Sequence, residues 1–91
     1  MVTIQQAAQN AAEFARSVLG GEAASDLRLE EVESDLYQGR EVWLITLSLP
    51  EEPTGRNVLS MPRPRVFKRF VVAKESGEVL AMKIRELANA G

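Results

Sequence analysis

Apolar side chains recur at helical spacing near the start of the chain. Every third or fourth position is apolar, and polar residues fill the opposite side: Ile4, Ala7, Ala8, Ala11, Ala15, Val18 and Leu19. Thr3 and Gln6 have the spacing of a capping box, and Gly20 and Gly21 follow where a helix would end. The pattern predicts an amphipathic helix over about residues 3–19, with an alanine stripe suited to close approach to a sheet.

The next two segments alternate apolar and polar residues, as β-strands do. Residues 27–37 alternate imperfectly, because the apolar parity changes near Glu30 and Glu31, and a β-bulge would produce this change. Residues 41–49 alternate regularly. One face carries Trp43, Ile45, Leu47 and Leu49, and the other carries Val42, Leu44, Thr46 and Ser48. Because both sets contain large apolar residues, both faces of this strand need cover, either from a loop or from another molecule.

The C-terminal part of the chain predicts a β-hairpin. Residues 67–73 and 79–84 are rich in β-branched and aromatic side chains, and Lys74-Glu75-Ser76-Gly77-Glu78 connects them. Gly77 enters positive φ at little cost, which favours a connection of three to five residues. One face of the hairpin is predicted to hold Phe70, Val72, Leu80, Met82 and Ile84.

Residues 50–65 separate the two pairs of strands and have no regular period. Pro53 helps to break the second strand, and Pro62 and Pro64 exclude a central strand. We therefore expect a long loop over about residues 50–65, with a short edge strand possible at residues 57–60.

The order of these elements is α-β-β-loop-β-β. It predicts a single α+β domain over residues 1–91, in which one N-terminal helix packs on a four-stranded antiparallel sheet spanning about residues 27–84. A chain of 91 residues suits one domain. A core of this size leaves little room for an enclosed active site, since ligand pockets commonly need about 300–1,000 Å³.

Composition narrows the chemistry further. Cysteine and histidine are both absent, which excludes disulfides, thiol nucleophiles, zinc sites of the usual kind and imidazole acid–base catalysis. The acidic residues at positions 30, 31, 33 and 35 fit an exposed strand, since no loop of calcium-binding spacing is present. We predict no catalytic residue, no metal site and no cofactor, and we expect a non-enzymatic protein.

The N-terminal segment has no basic region and no long apolar run, so it does not predict a secretory signal. No stretch of about 20 apolar residues occurs, so no membrane span is predicted. A cytoplasmic location is the expectation, although a chain whose leader had been removed would look the same.

Charge is distributed unevenly along the chain. The net charge is −2, yet the segment from Pro53 to Lys74 contains six basic residues and no acidic one. The predicted partner-binding residues are Arg56, Arg63, Arg65, Phe67, Lys68 and Arg69. The alternative is an exposed sheet edge, where charged residues and prolines prevent strand addition, with Lys68 paired to Glu41 or Glu78.

Residues Phe70–Leu80, with the sequence FVVAKESGEVL, resemble the terminal hairpin of PepSY-like and related cystatin-like small domains. The resemblance covers about a dozen residues in sequence and the rest of the chain in element order only. It implies an antiparallel sheet closed around a preceding helix, and an inhibitory or regulatory binding module without catalytic residues, often outside the cytoplasm. The arginine- and proline-containing loop departs from that pattern.

Three functional hypotheses follow. The first is a small regulatory, inhibitor-like protein that docks an acidic surface of a protein partner through residues 56–69. The second is a nucleic-acid-binding accessory protein that uses the same arginines, although the acidic net charge and the single interleaved aromatic, Phe67, count against it. The third is a structural subunit, such as a homodimer, that assembles through an uncovered sheet face.

Overall fold

The computed structural model describes residues 1–20, 26–50 and 65–85, with the backbone alone at 84 and 85. In this part of the chain the elements are α1 (Ile4–Leu19), β1 (Arg28–Tyr37), β2 (Arg40–Pro50), β3 (Arg65–Ala73) and β4 (Val79–Arg85). The strands form one antiparallel sheet in the order β1-β2-β3-β4, and α1 packs on it. The predicted α+β fold is confirmed. Pro50 and Arg65 belong to strands, and the rest of the predicted loop, with its edge strand at 57–60, lies outside the described residues.

The helix begins and ends at the predicted signals. The Gln6 amide donates to Thr3 Oγ1 at 3.0 Å, and the Thr3 amide donates to Gln6 Oε1 at 3.1 Å, which completes the capping box. Gly20 ends the helix at φ 92°, and its amide donates to the Arg16 carbonyl. No helix in the described ranges is long and apolar enough to cross a membrane.

The main core lies between α1 and the sheet. Its buried members are Ala7, Ala11, Ala15, Ile45, Leu47, Phe70 and Val72. The small alanine side chains let the helix backbone approach the strands closely, so Phe70 reaches the helix and meets Phe14 edge to face, with ring centroids 6.2 Å apart. We call the face of the sheet that carries this core the helix-side face. The predicted assignment of Trp43, Ile45 and Leu47 to one face is confirmed.

The opposite face of the sheet, which we call the outer face, has a smaller apolar cluster. Val42, Leu44 and Val71 are 0%, 9% and 2% exposed, and Tyr37 packs against them with Leu80 and Ala81. The prediction that β2 is apolar on both faces is therefore confirmed. These three side chains are already buried within one chain, so they do not supply the exposed apolar patch that the predicted self-association requires.

Two bulges set the register of the sheet. The first lies between Leu29 and Glu31, where the sequence predicts one. The second was not predicted and lies opposite Val71 and Val72, where Val72 pairs with Val79 and Val71 pairs with Ala81.

The second bulge changes which face of the sheet the first residues of β4 point to. Leu80 consequently packs in the outer cluster, and Val79 packs against the main core. The prediction that Leu80 faces Phe70 and Val72 is wrong for this reason, whereas Met82 does pair with Phe70.

The turn between β3 and β4 anchors the helix. Gly77 is buried at φ 80°, as the predicted turn requires. Its carbonyl accepts a hydrogen bond from Asn10 Nδ2 at 2.9 Å, and the Val2 amide donates to the Lys74 carbonyl at 2.8 Å. These two bonds tie both the N-terminal segment and α1 to the hairpin.

Candidate functional site

The structure describes four of the six predicted partner-binding residues. Arg56 and Arg63 lie outside the described residues. The other four belong to β3: Arg65, Phe67, Lys68 and Arg69. Because β3 pairs with β2 on one side and with β4 on the other, these residues do not lie on a sheet edge. The exposed-edge interpretation is therefore wrong for them.

Alternation along β3 divides these residues between the two faces. Arg65, Phe67 and Arg69 share the parity of the outer-face residue Val71, whereas Lys68 shares that of the core residue Phe70. Lys68 stands opposite Leu47 on one neighbouring strand and Ile84 on the other. The predicted cross-strand pairing of Lys68 with Glu41 or Glu78 is wrong, because neither glutamate is in register with it.

The Arg65 guanidinium is engaged within the fold. Its Nε donates to Ser48 Oγ and its Nη2 to the Ser48 carbonyl, both at 2.9 Å. It also binds Asp26, through Nη1 to Oδ2 at 3.0 Å and through Nη2 to the carbonyl oxygen at 2.7 Å. The Ser48 hydroxyl in turn donates to Glu30 Oε2 at 2.6 Å. Arg65 thus joins β2 and β3 to the residues before β1. Because its guanidinium is bound within the chain, Arg65 is not a candidate for partner binding.

Replacing Arg65 by methionine is expected to lower the free energy of unfolding by about 2 kcal/mol, because hydrogen bonds of a charged, mostly buried group are lost. Arg65→Lys should recover less than half of this loss, since an ammonium cannot reproduce the planar fork of a guanidinium. Urea unfolding followed by circular dichroism measures both values. Arg40→Met is the matched control on an exposed arginine, and an equal effect of the two methionine variants would contradict the structural role of Arg65.

Arg69 and Lys83 form a pair of like charges on the outer face. They stand directly opposite each other on β3 and β4. Among the described residues, Arg69 Nε has no hydrogen-bond partner and neither side chain makes an ion pair. Lys83 Nζ lies 5.3 Å from the centroid of the Tyr37 ring. Like charges directly opposite each other in a sheet are destabilising, so an anion between them would be favourable.

Sequence reasoning missed Lys83 because it lies outside the basic segment, on the other strand of the hairpin. Only the strand register places it beside Arg69, and the unpredicted bulge is part of that register. Phe67 lies one step along the same face of β3, opposite the backbone of Arg85. We call Phe67, Arg69 and Lys83 the basic patch.

The outer face is acidic at its β1 edge. Glu33 and Asp35 of β1 are exposed and stand opposite Leu44 and Val42 of β2. The expectation that the acidic strand is exposed is confirmed at Glu30, Glu33 and Asp35, whereas Glu31 is half-buried. The outer face therefore runs from carboxylates on β1, across the buried apolar cluster, to the basic patch on β3 and β4.

Two surface clefts accompany these features. One, of about 370 Å³, lies where the two hairpin turns meet the N-terminus, and its walls include Arg40, Glu41, Lys74 and Glu75. The other, of about 220 Å³, is a mainly apolar groove between α1 and β1. Among the described residues, no group of three or more potential metal-binding side chains is close enough to hold an ion.

Comparison of the chain with protein-family models, with curated proteins and with solved structures finds no match. The resemblance to PepSY-like and cystatin-like domains therefore stays a prediction.

Proposed function

We propose that this chain is a non-enzymatic regulatory protein, inhibitor-like in its action, that binds an acidic surface of a protein partner through the basic patch. The observation that carries the proposal is the Arg69–Lys83 pair, two cations that stand directly opposite each other and make no ion pair with a described residue. Like charges directly opposite each other in a sheet destabilise it, so this pair favours an anion supplied by another molecule. The cytoplasmic location remains a prediction.

A carboxylate is the group that suits this arrangement best. It accepts charge-assisted hydrogen bonds from a guanidinium and an ammonium at once, and it relieves the repulsion between Arg69 and Lys83. Phe67 is half-buried beside them and can pack against the stem of an acidic side chain. The patch would thus combine one apolar contact with two cationic ones, as protein interfaces commonly do.

Nucleic acid fits the same patch less well. Only one aromatic side chain, Phe67, is available for base stacking. The carboxylates of Glu33 and Asp35 lie on the same face and would repel a polyphosphate backbone that crossed the sheet. A compact acidic protein surface can contact the basic patch without crossing β1.

Removing both charges of the patch is expected to weaken binding to an acidic polypeptide about tenfold, since two partly exposed charge pairs are lost. The test uses fluorescently labelled poly-L-glutamate and the pair of substitutions Arg69→Gln and Lys83→Gln. The control pair, Arg16→Gln and Arg40→Gln, removes the same charge from exposed positions elsewhere. Anisotropy titrations at low and at physiological salt measure the dissociation constants.

Three outcomes decide the proposal. Loss confined to the Arg69 and Lys83 pair, with a melting temperature that does not fall, supports it. An equal loss in the control pair shows that net charge alone attracts the polymer, which overturns the assignment of the site. Tighter binding of a DNA oligonucleotide than of poly-L-glutamate, lost on the same two substitutions, replaces the protein partner with nucleic acid.

A further inference from the structure

Among the described strands, β1 pairs on one side only. Nine of its ten residues pair with β2, Glu30 being the bulge residue, and no described strand covers its other side. The Leu36 amide donates to its neighbour's carboxylate, Asp35 Oδ1, at 2.7 Å, which shows that this N–H points away from β2. Alternation in an antiparallel pair turns the backbone groups of Ser34 and Val32 the same way. This edge therefore presents backbone donors and acceptors that a further strand could use, although the Leu36 N–H is already bound by Asp35.

The helix-side face of β1 offers apolar contacts beside this edge. Leu29 and Leu36 are 52% and 66% exposed, unusually high for large apolar side chains on a strand next to the core. Leu29 also lines the groove of about 220 Å³ between α1 and β1, together with Ala8, Ala12, Leu27 and Leu47. An added strand would cover these leucines with every second side chain.

The outer face of β1 has the opposite chemistry. Glu33 and Asp35 occupy alternate positions, both are exposed, and neither makes an ion pair with a described residue. Opposite charges directly across a strand pair are stabilising, so these carboxylates favour lysine or arginine on a neighbouring strand. A second copy pairing through its own β1 would instead place carboxylates against carboxylates, which the same rule disfavours.

We propose that β1 binds an extended basic segment of a partner protein by strand addition, with lysine or arginine at alternate positions and apolar residues between them. The basic residues would face Glu33 and Asp35, and the apolar residues would cover Leu29 and Leu36. Backbone hydrogen bonds supply affinity in such a complex, and the alternating side chains supply specificity. This surface is separate from the basic patch and does not depend on the function proposed for that patch.

The experiment titrates isotope-labelled protein with two synthetic decapeptides of equal composition. One alternates valine and lysine, and the other has the five valines followed by the five lysines. We expect the alternating peptide to bind about tenfold more tightly, and the amides of Val32, Ser34 and Leu36 to exchange more slowly in its complex. The paired substitutions Glu33→Lys and Asp35→Lys should remove most of this difference, since two attractive pairs become repulsive.

The control pair, Glu13→Lys and Glu78→Lys, changes the net charge equally at exposed positions outside β1 and should leave the preference unchanged. Equal binding of the two peptides, or slowed exchange in β4 instead of β1, overturns the proposal. Growth of particle mass with protein concentration in the absence of peptide, abolished by the β1 substitutions, would assign the edge to a second copy. Substitution of Arg69 and Lys83 should leave peptide binding intact, so failure of one proposal is distinguishable from failure of the other.

Discussion

Replacing Phe70 by alanine is expected to lower the free energy of unfolding by about 3–5 kcal/mol, a large part of the stability of a small domain. The side chain is 1% exposed, lies on the central strand β3, and contacts both the sheet core and Phe14 of α1. Its removal would leave a cavity between layers that small alanines cannot fill. Urea unfolding monitored by circular dichroism measures the loss.

The matched control is Phe67→Ala, the same chemical change three positions earlier on the same strand. Phe67 is half-buried on the outer face, so its removal should cost less than half as much as that of Phe70. It should also weaken binding at the basic patch while the protein stays folded. Equal destabilisation by the two substitutions would show that the core is not centred between α1 and β3.

Replacing Gly77 by alanine is expected to cost about 2–3 kcal/mol, for two separate reasons. A non-glycine residue at φ 80° is strained by about 1–2 kcal/mol. In addition, an alanine Cβ would stand 2.8 Å from Asn10 Nδ2 and 3.0 Å from Val2 Cγ1, so the hydrogen bond that ties α1 to the hairpin would be disturbed. Chemical unfolding again measures the loss.

Gly39 separates these two reasons. It has nearly the same φ, 81°, but nothing lies within 4 Å of a Cβ built on it, so Gly39→Ala should show the backbone strain alone. Combining Gly77→Ala with Asn10→Ala removes the closer of the two contacts, and the double variant should therefore lose less than the sum of the single losses. Strictly additive losses of unfolding free energy, or equal losses for Gly39→Ala and Gly77→Ala, would contradict a contact between Asn10 and position 77.

Local signals in the sequence were sufficient for most of the fold. The Thr3–Gln6 capping box, the alanine stripe of α1 and the parity change near Glu30 each depend on residues close together in the chain, and each is confirmed. The bulge that moves Leu80 to the outer face has no such signal, because Val79–Met82 is apolar on both parities. A continuous apolar run does not specify which residue is the extra one.

The candidate site was less accessible to prediction. The run of basic residues is evident in the sequence. A charge count does not distinguish Arg65, whose guanidinium is bound to Ser48 and Asp26, from Arg69, which makes no ion pair with a described residue. That distinction depends on contacts between residues far apart in the chain. Lys83 joins the site for the same reason, through strand register.

The bond from Asn10 to Gly77 joins residues 67 positions apart, whereas each strand of the sheet pairs with the strand that precedes or follows it. Bringing residues 10 and 77 together costs more conformational entropy than pairing two strands that are adjacent in sequence. The four strands can therefore pair first, and the helix reaches its final position only when the sheet is nearly complete. A nascent chain could not form the bonds of Val2 and Asn10 to this hairpin until synthesis had passed Gly77.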